Sequence, residues 1–154
     1  MSNKRSVART FAFQFLYHLQ LPEFERLMSN QEIDAAEMSE QIEEFYLSYV
    51  EKDNDHFGAP LDSEQRMFAE SLIQASFAHS DELKKKVISC LKNWKWESLD
   101  KVDRAILLLG AAEIKILQNT PNQVVINECI EMAKKFGSTE SFSFINGVLD
   151  ALAK

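Results

Sequence analysis

Residues 101–117 read KVDRAILLLGAAEIKIL, and from Ala105 to Leu109 the stretch is apolar on nearly every side. A helix that is hydrophobic all round is touched from several directions, so it belongs in the middle of a bundle. Glu113 falls inside the same apolar arc as Val102, Ile106 and Leu109. A carboxylate in that setting has to be paired or hydrogen-bonded, which makes it a structural acceptor rather than a catalytic base.

On the C-terminal side of this helix, Thr120-Pro121-Asn122-Gln123 is a helix start: a threonine cap, proline at the first position, and glutamine reaching back. The helix it opens is expected to bury Val125, Cys129, Met132 and Phe136 and to stop at Gly137. Its other side, with Asn127, Glu128, Glu131, Lys134 and Lys135, reads as solvated. Ser138 or Thr139 can cap a last helix running to Ala153, with Phe142, Ile145, Val148, Leu149 and Leu152 as its core face. Phe144 projects about 110° from the centre of that face, with Gly147 and Ala151 beside it. Glycine inside a helix costs up to about 1 kcal/mol relative to alanine, so Gly147 calls for a packing or binding reason. Close helix–helix contact is the expectation there. For Phe144, core packing and an exposed ring both stay open. Asn146 flanks the core and is expected to hydrogen-bond to backbone.

On the N-terminal side, Ser80 or Asp81 can cap a helix turning Leu83, Val87, Cys90, Leu91 and Trp94 inward. Asp62 and Gln65 form a capping-box pattern that opens a helix through Met67, Phe68, Leu72 and Ala75. "DNDHFGAP" (53–60) reads as a loop, and "QIEEFYLSYV" (41–50) as a helix with Ile42, Phe45, Tyr46 and Tyr49 on one side. The first helix is predicted from Lys4 to Gln20, capped by Ser2 or Asn3 and stopped by Pro22. Ala8, Phe11, Ala12, Phe15, Leu16 and Leu19 make its buried face. The pattern gives about seven helices and no strand. Short connections favour antiparallel neighbours, hence an all-α fold, one domain over 1–154, with two small packed helical bundles around residues 101–117.

Composition excludes several classes. A chain of 154 residues with 45% hydrophobic and 27% charged residues can bury a full core. No run approaches the roughly 20 apolar residues of a membrane span, and the basic start leads into no signal peptide; a cytoplasmic location is expected. Cys90 and Cys129 are isolated and read as buried thiols, and His18, His56 and His79 are scattered, so neither disulfide nor metal is expected. There is no phosphate loop, nucleophile elbow, HExxH or CxxC, so no enzyme and no cofactor are expected.

Charge is unevenly distributed. The net −7 divides into +3 over residues 1–20, −11 over the divergent acidic segment 23–64, and +1 over residues 65–154. The basic end is therefore free to meet phosphates. Arg5, Arg9, Phe13 and Tyr17 recur every four residues, a spacing that keeps side chains adjacent on a helix. Cations passing into rings suit a nucleic acid. The ordinary alternative, with Phe13 and Tyr17 packed and Arg9 solvated, stays open.

"ARTFAFQFLYHLQL" (8–21), "LDKVDRAILLLGAAEIKIL" (99–117), "PNQVVINECIEMAKKFG" (121–137) and "SFSFINGVLDALAK" (141–154) resemble the NusB family of bacterial transcription antitermination factors. The resemblance implies an all-α fold and binding to boxA-type RNA of nascent ribosomal transcripts together with NusE, a small-subunit ribosomal protein. It also implies assembly with NusA, NusG and RNA polymerase, and in some members a homodimer. By position, Lys4, Arg5 and Arg9 match the family's basic RNA contacts, and Glu140, Ser141 and Phe144 the RNA-facing start of the last helix. Tyr17, Glu97 and Asp103 match residues that meet NusE. Phe144 is then off-phase because it serves the RNA surface. Two other readings are a helical protein-interaction module without RNA binding, and the NusB-like domain that opens some rRNA cytosine methyltransferases; against the latter, no Gly-rich cofactor domain follows.

Overall fold

The structure, a computed structural model, describes residues 4–20, 34–50 and 60–154. The predicted caps Ser2 and Asn3, the Pro22 stop and most of the 53–60 loop lie outside the described residues. Among the described residues there are seven α-helices and no strand. They are α1 (Lys4–Leu19), α2 (Ala35–Tyr49), α3 (Ser63–Ala78), α4 (Ser80–Ser89), α5 (Lys101–Ala112), α6 (Asn122–Phe136) and α7 (Ser141–Ala153), with a 3-10 turn at Trp96–Ser98. The chain divides into two compact units, Met1–Gln74 and Ala75–Lys154, the division falling within α3.

In the first unit, α1 buries the predicted face from Ala8 to Leu19. Rings join it to α2: Phe11 lies 5.5 Å from Phe45 and 5.0 Å, edge-on, from Tyr49, and Phe15 lies 5.4 Å from Phe45. Edge-to-face geometry of this kind adds to simple area burial. Asp34 caps α2 by accepting from the Glu37 amide at 2.8 Å. At the start of α3 the predicted capping box is present in both directions. The Gln65 amide donates to Asp62 Oδ1, and the Asp62 amide donates to Gln65 Oε1, each at 2.8 Å. These bonds satisfy two of the amides that a helix start otherwise leaves unpaired.

In the second unit, α5 is buried from Ala105 through Ala112 and contacts α4, α6 and α7. This is the central position its all-round apolarity predicts. Gly110 has a packing reason: a Cβ there would come within 2.9 Å of Cys129 Sγ and 3.1 Å of Leu149 Cδ1. The chain continues from α5 into a π-helical turn, Glu113–Leu117, that buries Glu113. Gln118, at φ 53°, ends the turn, and its amide donates to the Glu113 carbonyl.

Several details differ from the sequence reading. Gly147 has nothing among the described residues within 4 Å of where its Cβ would be, so close contact with a described helix is not its role. Pro121 stands as N-cap of α6 in extended backbone, and Gln123 donates forward to Asn127 Oδ1 instead of reaching back. The last helix is preceded by Glu140 rather than capped by Ser138 or Thr139. Ser141 turns inward and accepts from the Ser138 amide at 3.0 Å, which reverses the expected cap. Met67 is 72% exposed. Phe142, expected in the core, is exposed in the first turn of α7, where Lys134 Nζ lies 5.4 Å from its ring. Cys90 is only partly buried because α4 ends at Ser89, and Cys129 is buried.

Candidate functional site

The predicted residues fall on both units. Lys4, Arg5, Arg9 and Tyr17 belong to the first, and Glu97, Asp103, Glu140, Ser141 and Phe144 to the second.

On the first unit, the helical spacing of Arg5 and Arg9 aims both guanidinium groups at one ring of α3. Arg5 lies 4.7 Å and Arg9 5.1 Å from the centroid of Phe68, within cation–π range. Arg5 is exposed, whereas Arg9 is only 2% exposed. Arg9 is therefore not the solvated side chain of the ordinary reading. Lys4 is exposed and bridges to Asp62 at 2.9 Å. Its hydrogen bond and charge contact with Asp62 hold the ammonium above its ordinary range. Lys4, Arg5, Met67 and Phe68 line an open groove of about 470 Å³. Sequence reading missed Met67 and Phe68 here because both had been given to the apolar pattern of their helix. The four-residue stripe is split: Arg5 and Tyr17 are exposed, Arg9 and Phe13 buried, with the Phe13 and Tyr17 rings 6.4 Å apart.

On the second unit, the chain between α4 and α5 is clamped by Arg104, which donates to the Trp96 carbonyl at 3.1 Å and the Glu97 carbonyl at 2.7 Å. Glu97 itself is exposed. This segment places Trp94 against Phe144, ring centroids 5.8 Å apart and tilted by 66°. Phe144 is thus half-buried, between the two possibilities left open for it. Trp94 is 56% exposed, because the end of α4 takes it out of the inward pattern. Below the two rings is a cavity of about 120 Å³, lined also by Asp100, Asp103, Glu140 and Ser141.

Asp103 is 8% exposed, and its Oδ1 has no hydrogen-bond partner among the described residues. Burial pushes its carboxyl above the ordinary carboxylate range; the Ser141 hydroxyl opposes this push and the Asp100 charge adds to it. Asp103, which the resemblance assigned to a protein partner, so joins Glu140, Ser141 and Phe144, which it assigned to RNA. Glu97 does not line this cavity. No cluster of metal-ligating side chains exists among the described residues.

The family model for the NusB family matches residues 6–154. The chain belongs to the NusB family. A transcription antitermination protein NusB of Thermodesulfovibrio yellowstonii is 34% identical over 151 residues, covering 98% of this chain and 92% of that one. The NusB of Myxococcus xanthus is 32% identical over 149 residues, covering 97% and 94%. Among solved structures, NusB of T. maritima superposes with TM-score 0.74 at 25% identity, covering 99% of this chain and 92% of that one. A crystal structure of antitermination factors NusB and NusE in complex with double-stranded RNA has the same fold, with TM-score 0.76 at 24% identity, covering 99% and 98%. The all-α fold of this NusB-family chain is thereby matched along its length. No described helix is long and apolar enough to cross a membrane.

Proposed function

We propose that the chain is a non-catalytic transcription antitermination factor that binds boxA-type RNA of nascent ribosomal transcripts together with NusE. It then joins NusA, NusG and RNA polymerase in an elongation complex in the cytoplasm. The observation that carries this reading is NusB-family membership over residues 6–154.

The geometry supports a division of labour between two surfaces, one on each unit. On the first, Lys4 and Arg5 are the phosphate contacts, while Arg9, being buried, acts from below by holding Phe68. On the second, Glu140 and the half-buried Phe144 face RNA, while Ser141, being buried, acts from beneath by holding the turn before α7 through the Ser138 amide. Tyr17, Glu97 and Asp103 are assigned to NusE; a basic ribosomal protein is attracted to such acids, and charge complementarity raises association rates more than affinity.

The test is a titration of the full chain with boxA-like and scrambled RNA, with and without NusE. Preferential binding of the boxA-like strand in the presence of NusE is expected. Equal affinity for both strands overturns the reading. A helical adaptor that never touches RNA is separated by reversing charge at Lys4 and Arg5, since such a module would keep full antitermination activity. Light scattering over a range of concentrations reads any homodimer directly.

A further inference from the structure

The largest group of lysines in the chain is not at its N-terminus. Residues 84–96, KKKVISCLKNWKW, hold five lysines and no acid in a protein of net charge −7. All five belong to the second unit, on α4 and on the segment that joins it to α5. Lys85, Lys92 and Lys95 are exposed, and none of the five pairs with a carboxylate among the described residues. Lys4, Arg66, Lys134 and Lys154 all do. Like charges left unpaired on one stretch repel one another and draw in a polyanion.

We propose that Lys85, Lys92 and Lys95 form a second, sequence-independent contact for single-stranded RNA, holding phosphates of the transcript that flanks the boxA-type element. The inference rests on the RNA reading above and lengthens the strand that the protein holds. The fold keeps these cations in place. Lys85 is exposed on α4, and the Cys90 amide donates to the Val87 carbonyl at 2.9 Å and the Leu91 amide to the Ile88 carbonyl at 3.0 Å. Those bonds carry the turn on toward Lys92. The Trp96 ring meets Lys84 Nζ at 5.6 Å and the Arg104 guanidinium at 6.0 Å, so α4, the connecting segment and α5 join at one ring. Arg104 also binds the Trp96 and Glu97 carbonyls. A segment ordered in advance loses little freedom when a strand binds it.

Continuity favours RNA over an acidic protein. Trp94 lies between Lys92 and Lys95 in the chain, and its ring is 5.8 Å from that of Phe144. A strand at the start of α7 therefore reaches the lysine segment. The cavity beneath the two rings presents Asp100, Asp103 and Glu140 without a lysine or arginine, which repels phosphate from that side. The backbone is left to run along the lysines. A basic partner drawn to Glu97 and Asp103 is repelled by these same lysines, which leaves them open to the strand. Phosphate contacts carry no base information, so flanks of any sequence are accepted.

The experiment compares a boxA-like strand with the same strand extended by about ten uridines at its 5′ or its 3′ end, a length within the span of single-strand grooves. The full chain is titrated with each, with and without NusE, over a range of salt. A flank at one end is expected to tighten binding and to steepen the slope of log affinity against log salt by about 2, or about 0.7 for each of three phosphates. The triple variant Lys85→Gln, Lys92→Gln, Lys95→Gln is expected to bind flanked and unflanked strands alike. Its melting temperature and its preference for boxA-like over scrambled RNA are expected to stay. If neither flank changes affinity in the wild type, if NusE abolishes the gain, or if the variant keeps it, the lysine surface is overturned and the RNA reading stands. If the wild type with NusE shows no preference for the boxA-like strand, both fall. If the flanks are silent while an oligoglutamate peptide binds the wild type and not the variant, the lysines serve an acidic protein, and the proposal is overturned in favour of that partner.

Discussion

Phe144 shows how one side chain divides between stability and recognition. Its ring leans on Trp94 and is only half-buried, whereas Phe11 is fully buried among Phe45, Tyr46 and Tyr49. Truncating a core phenylalanine costs about 3–5 kcal/mol. Phe144→Ala is expected to lower the melting temperature by much less than Phe11→Ala while weakening RNA binding several-fold; parallel melts and titrations decide. Equal losses of stability would mean that the ring serves packing alone.

Asp103 makes a second prediction, through pH. Its folded-state pKa is raised, chiefly by burial, so the native state holds the proton more tightly than the unfolded chain. Its stabilising contribution is present below the ordinary carboxylate value and is lost as pH rises through the raised one. Asp103→Asn carries no such proton. The melting temperature of the variant relative to wild type is therefore expected to climb across that acid window and then level off. A pH-independent difference would show that the carboxyl titrates normally. Asp62 runs the opposite way: the Gln65 amide and Lys4 lower its pKa, so its contribution is present at neutral pH and lost on acidification.

At the scale of elements, two helical glycines on α5 and α7 were equally visible in the sequence and have opposite environments. Gly110 admits Cys129 and Leu149 so closely that Gly110→Ala forces one of them to move; a loss of about 1–3 kcal/mol is expected, as for overpacking. Gly147 meets nothing among the described residues, so Gly147→Ala is expected to gain about 0.5–1 kcal/mol from helix propensity. Chemical denaturation of the two variants checks both signs. Glycine in a helix announces a cost, but the sequence does not show whether a neighbour repays it. The capping box at Asp62 and Gln65 was legible because it is local, its partners lying three residues apart. The ends of α4 and α7 were not. Trp94 and Phe142 kept the helical period on paper, yet α4 stops at Ser89 and Phe142 sits exposed in the opening turn of α7 beside Lys134.

For the whole molecule, charge distribution predicts the response to salt. If Lys4 and Arg5 neutralise phosphates, each replacement by glutamine is expected to reduce the slope of log affinity against log salt by about 0.7, the value for single strands. An unchanged slope would remove those two from the interface. The first unit keeps its helices chiefly through rings and caps, and the Lys4–Asp62 bridge and the Arg5 contact with Phe68 are made by exposed cations, which contribute little. A fall in affinity without a fall in melting temperature is the expected signature.

The sequence by itself determined the all-α class, the central place of α5 within its unit, the aromatic face of α1 and the family. All of these follow from periodicity, apolarity and local motif, which are properties of neighbouring residues. Tertiary structure alone decided that Arg5 and Arg9 share the Phe68 ring, that Arg9 is buried, and that Trp94 and Asp103 meet Phe144 and Ser141 at one cavity. Those juxtapositions join residues tens of positions apart, and whether such side chains meet depends on where each helix stops and which face its neighbours leave uncovered.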